Sequence, residues 1–204
     1  MGCSSCHDPH GNTHFRLLYG IGPVTAGAVT FANDAPEADG IGFAAETNTN
    51  HTAYKSGMSA WCGNCHGNFH AEAGGRLEHP SGQSLGGTIA GSYGRYNGTA
   101  HYNTGSPATS YLAAVPFEEP TMTTTNAAGP IASSQVSCIT CHRAHASSAP
   151  DAGRWDFNVT WLSDDGARSG SYPIPNPYGP DVQIQRSLCN KCHVKDAGDA
   201  GSAP

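Results

Sequence analysis

The apolar positions of this chain follow no sustained period. Residues 21–50 are rich in Gly, Ala, Thr and Asn and read as surface loop or short strand. Residues 81–135 continue in Gly, Ser, Thr and Asn, punctuated by Tyr93, Tyr96, Tyr102 and Tyr111, with the threonines of 121–125 as an exposed loop. The proline-rich run 172–180 reads as an extended connector and 197–204 as a frayed tail. The longest apolar run, 21–31, is interrupted by Gly22, Pro23 and Gly27 and falls short of the roughly 18 residues of a membrane span. The pattern predicts a mostly irregular chain with little β-structure.

Composition sharpens a problem. Apolar residues make up 37% of the 204, while 26 glycines and 14 prolines approach one residue in five. An aliphatic core of ordinary size cannot come from this mixture. Cysteine usage points to what replaces it. All eight cysteines fall in four C-x-x-C-H segments: Cys3–Cys6–His7, Cys62–Cys65–His66, Cys138–Cys141–His142 and Cys189–Cys192–His193. Thiols at i and i+3 can add across the two vinyl groups of one haem while the next histidine faces the iron, so the pattern is the attachment site of c-type haem. A structural zinc site would not require histidine after every second cysteine. A disulfide framework does not space its cysteines in four identical pairs. The reading is four c-type haems, whose flat apolar bodies take the place of the missing core. It predicts short α-helices at the haem sites, with coil wrapped around a stacked haem chain.

The chain is taken as one tetrahaem domain, 1–204. Sites one and three carry a further histidine three residues on (His10, His145) and sites two and four do not. The separations Cys3–Cys62 and Cys138–Cys189 are 59 and 51 residues. This suggests two dihaem units, 1–80 and 131–204, around a loop-rich 81–130.

Eleven histidines less four proximal ones leave seven for the four remaining axial positions. Saturated irons have no vacancy for substrate, which points to electron transfer and not to an enzyme. The distal candidates are His10, His51, His79 and His145, with His14, His70 and His101 in reserve as surface or haem-packing residues. Met58 is a further axial candidate, since Met raises haem potential. His10 shares a helical turn with His7, so the two cannot bind one iron from opposite faces. An iron ligated by His10 belongs to another haem, within reach of a neighbouring subunit. Tyr54 and Trp61 are read as packing on porphyrin faces.

The formal charge is -6 with no Lys/Arg cluster, which argues against nucleic acid or an anionic membrane as partner. Cys3 is already a haem cysteine and no signal peptide precedes it. Because c-type haem is attached outside the cytoplasm, the chain reads as a mature or truncated form of an exported protein. Sequons at Asn50, Asn97 and Asn158 are expected at background frequency in so Thr-rich a chain.

The segments Cys3-Ser-Ser-Cys-His-Asp-Pro-His-Gly11, 51–66, Cys138-Ile-Thr-Cys-His-Arg-Ala-His-Ala-Ser147 with Arg154-Trp-Asp156, and Leu188-Cys-Asn-Lys-Cys-His193 together resemble the outer-membrane cytochrome E type of tetrahaem cytochrome. The resemblance covers both ends and all four sites. It implies bis-histidine haems in one stack of alternating parallel and T-shaped pairs, inside an extracellular helical filament. It also implies that His10 ligates a haem of the adjacent protomer, through a heterologous interface that does not close. The function expected is long-range electron transfer to redox proteins or extracellular acceptors. A soluble periplasmic shuttle is the alternative, and a multihaem reductase with one open haem a more distant one.

Overall fold

The computed structural model describes residues 2–24, 29–67, 81–95, 105–145, 147–161 and 187–193. Regular elements are few and short. Among the described residues, three helices, α1 (Met58–His66), α2 (Gly86–Arg95) and α3 (Cys138–Cys141), stand with four strands, β1 (Gly22–Pro23), β2 (Thr30–Phe31), β3 (Glu37–Asp39) and β4 (Ala53–Ser56). The strands form two antiparallel pairs, β1 with β2 and β3 with β4. The second pair is bulged between Glu37 and Ala38. Single 3-10 turns fill much of the remainder, including Cys3–Ser5 and Leu188–Lys191. The expected architecture of short helices at the cysteine segments, little sheet and long irregular connections is what the chain adopts. No helix among the described residues is long and apolar enough to cross a membrane.

The main core comes largely from the stretch expected to be loop. Tyr93, Tyr111, Leu112, Val115, Phe117 and Met122 pack with Ala53, Trp155 and Leu188. Tyr93 organises this cluster. Its hydroxyl donates to Val115 O at 2.9 Å and accepts from Leu112 N at 3.0 Å. Its ring meets Phe117 edge-on at 5.5 Å. Spaced aromatics in a Gly-rich background give no sequence period, because irregular backbone and not a helix face brings them together. Met122 is likewise buried although the threonines at 121, 123 and 125 around it are exposed.

A smaller cluster of Tyr19, Val24 and Phe31 receives Trp61 from α1. Trp61, expected against a porphyrin, stands edge-on to Phe31 at 5.7 Å and donates Nε1–H to Tyr19 O at 2.8 Å. Tyr54 meets Phe15 edge-on at 6.2 Å.

Candidate functional site: four anchor turns in series

Each C-x-x-C-H segment folds as one helical turn. The histidine amide donates to the first cysteine carbonyl, His7 to Cys3 at 2.9 Å, His142 to Cys138 at 3.0 Å and His193 to Cys189 at 2.9 Å. The second segment lies within α1. One turn brings thiols at i and i+3 to the same side and sets the next residue beside them.

The turns follow one another in chain order. The Cys6 thiol is pushed up by burial and then by Cys65, which puts the first and second segments together. The Cys62 thiol is raised first by its hydrogen bond with Cys138, and Cys138 N donates to Ser59 Oγ at 3.2 Å, joining the second and third. The Cys141 thiol is pushed up to about 12 by burial and then by Cys192 and Cys189, joining the third and fourth.

Segments one and three are copies of one backbone unit, offset by 135 positions. Gly2 N donates to Ser5 Oγ as Ser137 N donates to Thr140 Oγ1. Asp8 N donates to Leu17 O as Arg143 N donates to Ala152 O, and Tyr19 N to Cys6 O as Arg154 N to Cys141 O. In both copies the returning arm places two successive residues in the left-handed region, Arg16 and Leu17 at φ 51 and 57, Asp151 and Ala152 at φ 55 and 53. They are the only non-glycine residues of that kind among the described residues. Each such residue costs about 1–2 kcal/mol. What the conformation achieves is local. Arg16 O meets His7 Nδ1 at 2.7 Å, and Asp151 O meets His142 Nδ1 at 2.9 Å. A carbonyl only accepts, so Nδ1 carries the proton and Nε2 keeps its lone pair for a metal. No motif at positions 16–17 or 151–152 betrays this, since the two pairs share no residue type.

The predicted distal histidines stand as follows. The His145 and His7 rings lie 6.1 Å apart between centroids, their planes tilted by 47°. His10 is exposed, its amide held by Asp8 Oδ1 at 2.9 Å. His51 is fully buried and stacked on Tyr111 at 3.6 Å, with Nδ1 3.0 Å from Thr52 O and Nε2 2.9 Å from Asn126 O. A metal bound there would have to displace one carbonyl. Of the reserve histidines, His14 points Nδ1 at Leu18 O, 3.0 Å away. His79, His70 and His101 lie outside the described residues. Met58 is buried at the start of α1, its amide donating to Glu118 Oε1 at 2.7 Å.

The fourth turn is fixed by Lys191, between its two cysteines. The buried ammonium donates to Tyr93 O at 3.0 Å and Ser110 O at 2.9 Å and lies 3.9 Å above the Tyr93 ring. Burial pushes it down to about 7.

These residues fit c-type haem. All eight thiols are free of disulfides. Buried donors at Tyr19 Oη, Arg143 Nε and Trp155 Nε1 have no acceptor among the described residues, the kind of unmet polar group that a carboxylate-bearing cofactor explains.

No protein-family model matches the chain. It is 31% identical over 271 aligned positions to the C-type cytochrome OmcS of Geobacter sulfurreducens, covering 96% of this chain and 62% of that protein. Two solved structures are similar in fold over 96% of this chain and 66% of theirs, each at 29% identity. They are the outer membrane cytochrome S filament, with a TM-score of 0.74, and the OmcS nanowires seen by cryo-electron microscopy, with a TM-score of 0.73, both from Geobacter sulfurreducens. The chain thus spans somewhat less than two thirds of the length of these relatives. Over nearly all of its own length it is a homologue of a filament-forming C-type cytochrome.

Proposed function

We propose that the chain holds four c-type haems and relays electrons along them within an extracellular filament of its own copies. Bound haem supplies reversible one-electron iron chemistry; the protein supplies order, ligands and insulation from solvent. The observation that carries the reading is the serial proximity of the anchors: the thiols of one and two, and of three and four, lie within electrostatic reach, and two and three are hydrogen-bonded. Cofactors tethered at such turns are neighbours in sequence order, as a relay requires. Nothing in the reading calls for a substrate site, so the protein acts as a carrier and not as an enzyme.

The proximal ligands are His7, His66, His142 and His193. His145 is the distal ligand opposite His7. Two metal–imidazole bonds of about 2 Å each in line, with half a ring at either end, span a distance like the 6.1 Å between these rings. His10, His51 and His79 complete the distal set, with His51 exchanging one carbonyl for iron.

The pairing of His145 with His7 also gives His10 its partner. Within the 135-residue repeat, His145 of segment three serves the anchor two places back. His10 is the equivalent residue of segment one, and two places back from segment one is the third anchor of a neighbouring protomer. That link is heterologous and propagates without closing. Similarity to a filament subunit supports it, and the tetrahaem, E-type organisation is part of the same proposal.

The test is His10→Ala in the holoprotein. Mass spectrometry is expected to find four haems still attached, the absorption spectrum to show one turned high-spin, and electron microscopy to show no filaments. Normal filaments from this variant would refute the trans ligand. Fewer than four haems on the unmodified protein would refute the tetrahaem assignment itself.

A further inference from the structure

The two copies of the anchor unit differ most sharply in charge. Where the first has Asp8 and Tyr19, the third has Arg143 and Arg154. Arg143 directly follows His142, and its amide is fixed by Ala152 O at 2.7 Å. Arg154 is bound to the anchor turn twice, through its amide to Cys141 O at 2.7 Å and through Nε to Ile139 O at 2.5 Å. Burial weighs most on Arg154, and the Arg143 guanidinium lies near enough to repel it as well.

Neither arginine has a carboxylate in ion-pair range among the described residues, where Lys55–Asp39 is the salt bridge found. Arg143 Nε is buried with no acceptor among the described residues. Glu46 acts favourably on Arg154 electrostatically from beyond ion-pair range, with its Oε1 accepting from Thr52 N at 2.9 Å. Two partly desolvated cations held side by side by backbone contacts are costly unless an anion joins them. At the position equivalent to Arg154, Tyr19 Oη is also buried and unpartnered. Each copy therefore leaves one buried donor unmet among the described residues, the neutral Tyr19 Oη in the first and the charged Arg143 Nε in the third, at positions that are not equivalent.

We propose that Arg143 and Arg154 form a carboxylate site for the propionates of the haem tethered at Cys138 and Cys141, and that they raise its reduction potential above that of the haem at Cys3 and Cys6. The inference rests on the haem reading above. An electron added to iron is stabilised by nearby cations, so the third site holds electrons more tightly than its structural twin. Arg is suited to this role because its planar fork matches a carboxylate and it stays charged when buried.

The experiment uses the full holoprotein as Arg143→Gln, Arg154→Gln and the double variant, with Arg154→Lys as the charge-keeping control. Haem content by mass spectrometry is read first and is expected to remain four. Spectroelectrochemical titration should then show one of the four steps moved to lower potential in the double variant. The expected loss is at least tenfold in that haem's reduction equilibrium, about 59 mV for one electron, and Arg154→Lys should recover most of it. Haem with ¹³C-labelled propionates should show its carboxylate infrared band shifted in the same variants, which a purely structural role would not produce. If Arg154→Gln does not fold, Arg143→Gln and Arg154→Lys decide by the same two readouts. Four attached haems with every step within threefold of the unmodified protein, or an unmoved carboxylate band, would overturn the site. Failure to find haem at Cys138 and Cys141 of the unmodified protein would instead overturn the haem reading.

Discussion

Tyr93→Phe removes one oxygen atom from the main core and leaves the ring in place. That oxygen donates to Val115 O at 2.9 Å and accepts from Leu112 N at 3.0 Å. The third group near it, Leu112 O at 3.4 Å, already accepts from Val115 N at 2.9 Å and is not orphaned. The substitution thus strands two buried backbone groups. Each unsatisfied group costs about 1–3 kcal/mol, so the loss should be about 2–4 kcal/mol once relaxation is allowed for. Packing contributes little, because Phe keeps the contact with Phe117 and the face beneath Lys191. The assay is guanidinium unfolding of the holoprotein followed by far-UV circular dichroism, comparing midpoints at unchanged m-value. A loss under about 0.5 kcal/mol, the range of ordinary surface substitutions, would show that Tyr93 is not the polar centre joining α2 to residues 111–115.

Three further outcomes follow from the same geometry. Asp151→Gly should stabilise the protein by up to about 1 kcal/mol, since glycine takes φ 55 without the steric cost and keeps the carbonyl that holds His142; thermal unfolding reads it, with an unchanged haem spectrum as the sign that the carbonyl stays. Gly153→Ala should destabilise by about 1–3 kcal/mol, because its new Cβ would lie 2.5 Å from Trp155 O and 2.9 Å from Phe157 Cζ; a calorimetric scan checks it. Glu118 is raised above its ordinary 4.5, first by burial, with the Met58 amide opposing. A raised carboxyl favours the fold most while protonated, so its contribution is full below pH 4.5 and is lost as pH rises through the higher folded value. Denaturation midpoints between pH 4 and 7 should lose that component of their pH dependence in Glu118→Gln.

The four C-x-x-C-H turns could be read from sequence because that spacing closes within one helical turn, with Cys138, Cys141 and His142 at i, i+3 and i+4. The irregular fold was legible for a related reason, since a chain so rich in Gly, Thr and Asn has no period to offer a helix or sheet. The core at Tyr93, Tyr111 and Phe117 was not, because hydroxyl and edge-on contacts between loops leave no repeating pattern. The proximity of the His145 and His7 rings was also hidden, because it joins residues 138 positions apart and only the fold brings them together. His51 makes the same point from the other side, since its sequence position beside a haem segment says nothing of the two carbonyls that hold its ring.

The repeat of segments one and three separates two demands that a single sequence motif would confuse. Orientation of the proximal imidazole is a backbone property, so Arg16–Leu17 and Asp151–Ala152 meet it equally despite having no residue in common. Each pair accepts left-handed strain to do so, and the surrounding hairpin holds it through matching bonds at matching positions. Electrostatics at the same site is a side-chain property and is free to diverge, as Asp8 and Tyr19 have from Arg143 and Arg154. A duplicated turn can therefore keep its imidazole geometry while its charge drifts, and under the proposed haem reading that drift tunes a reduction potential without disturbing the ligand.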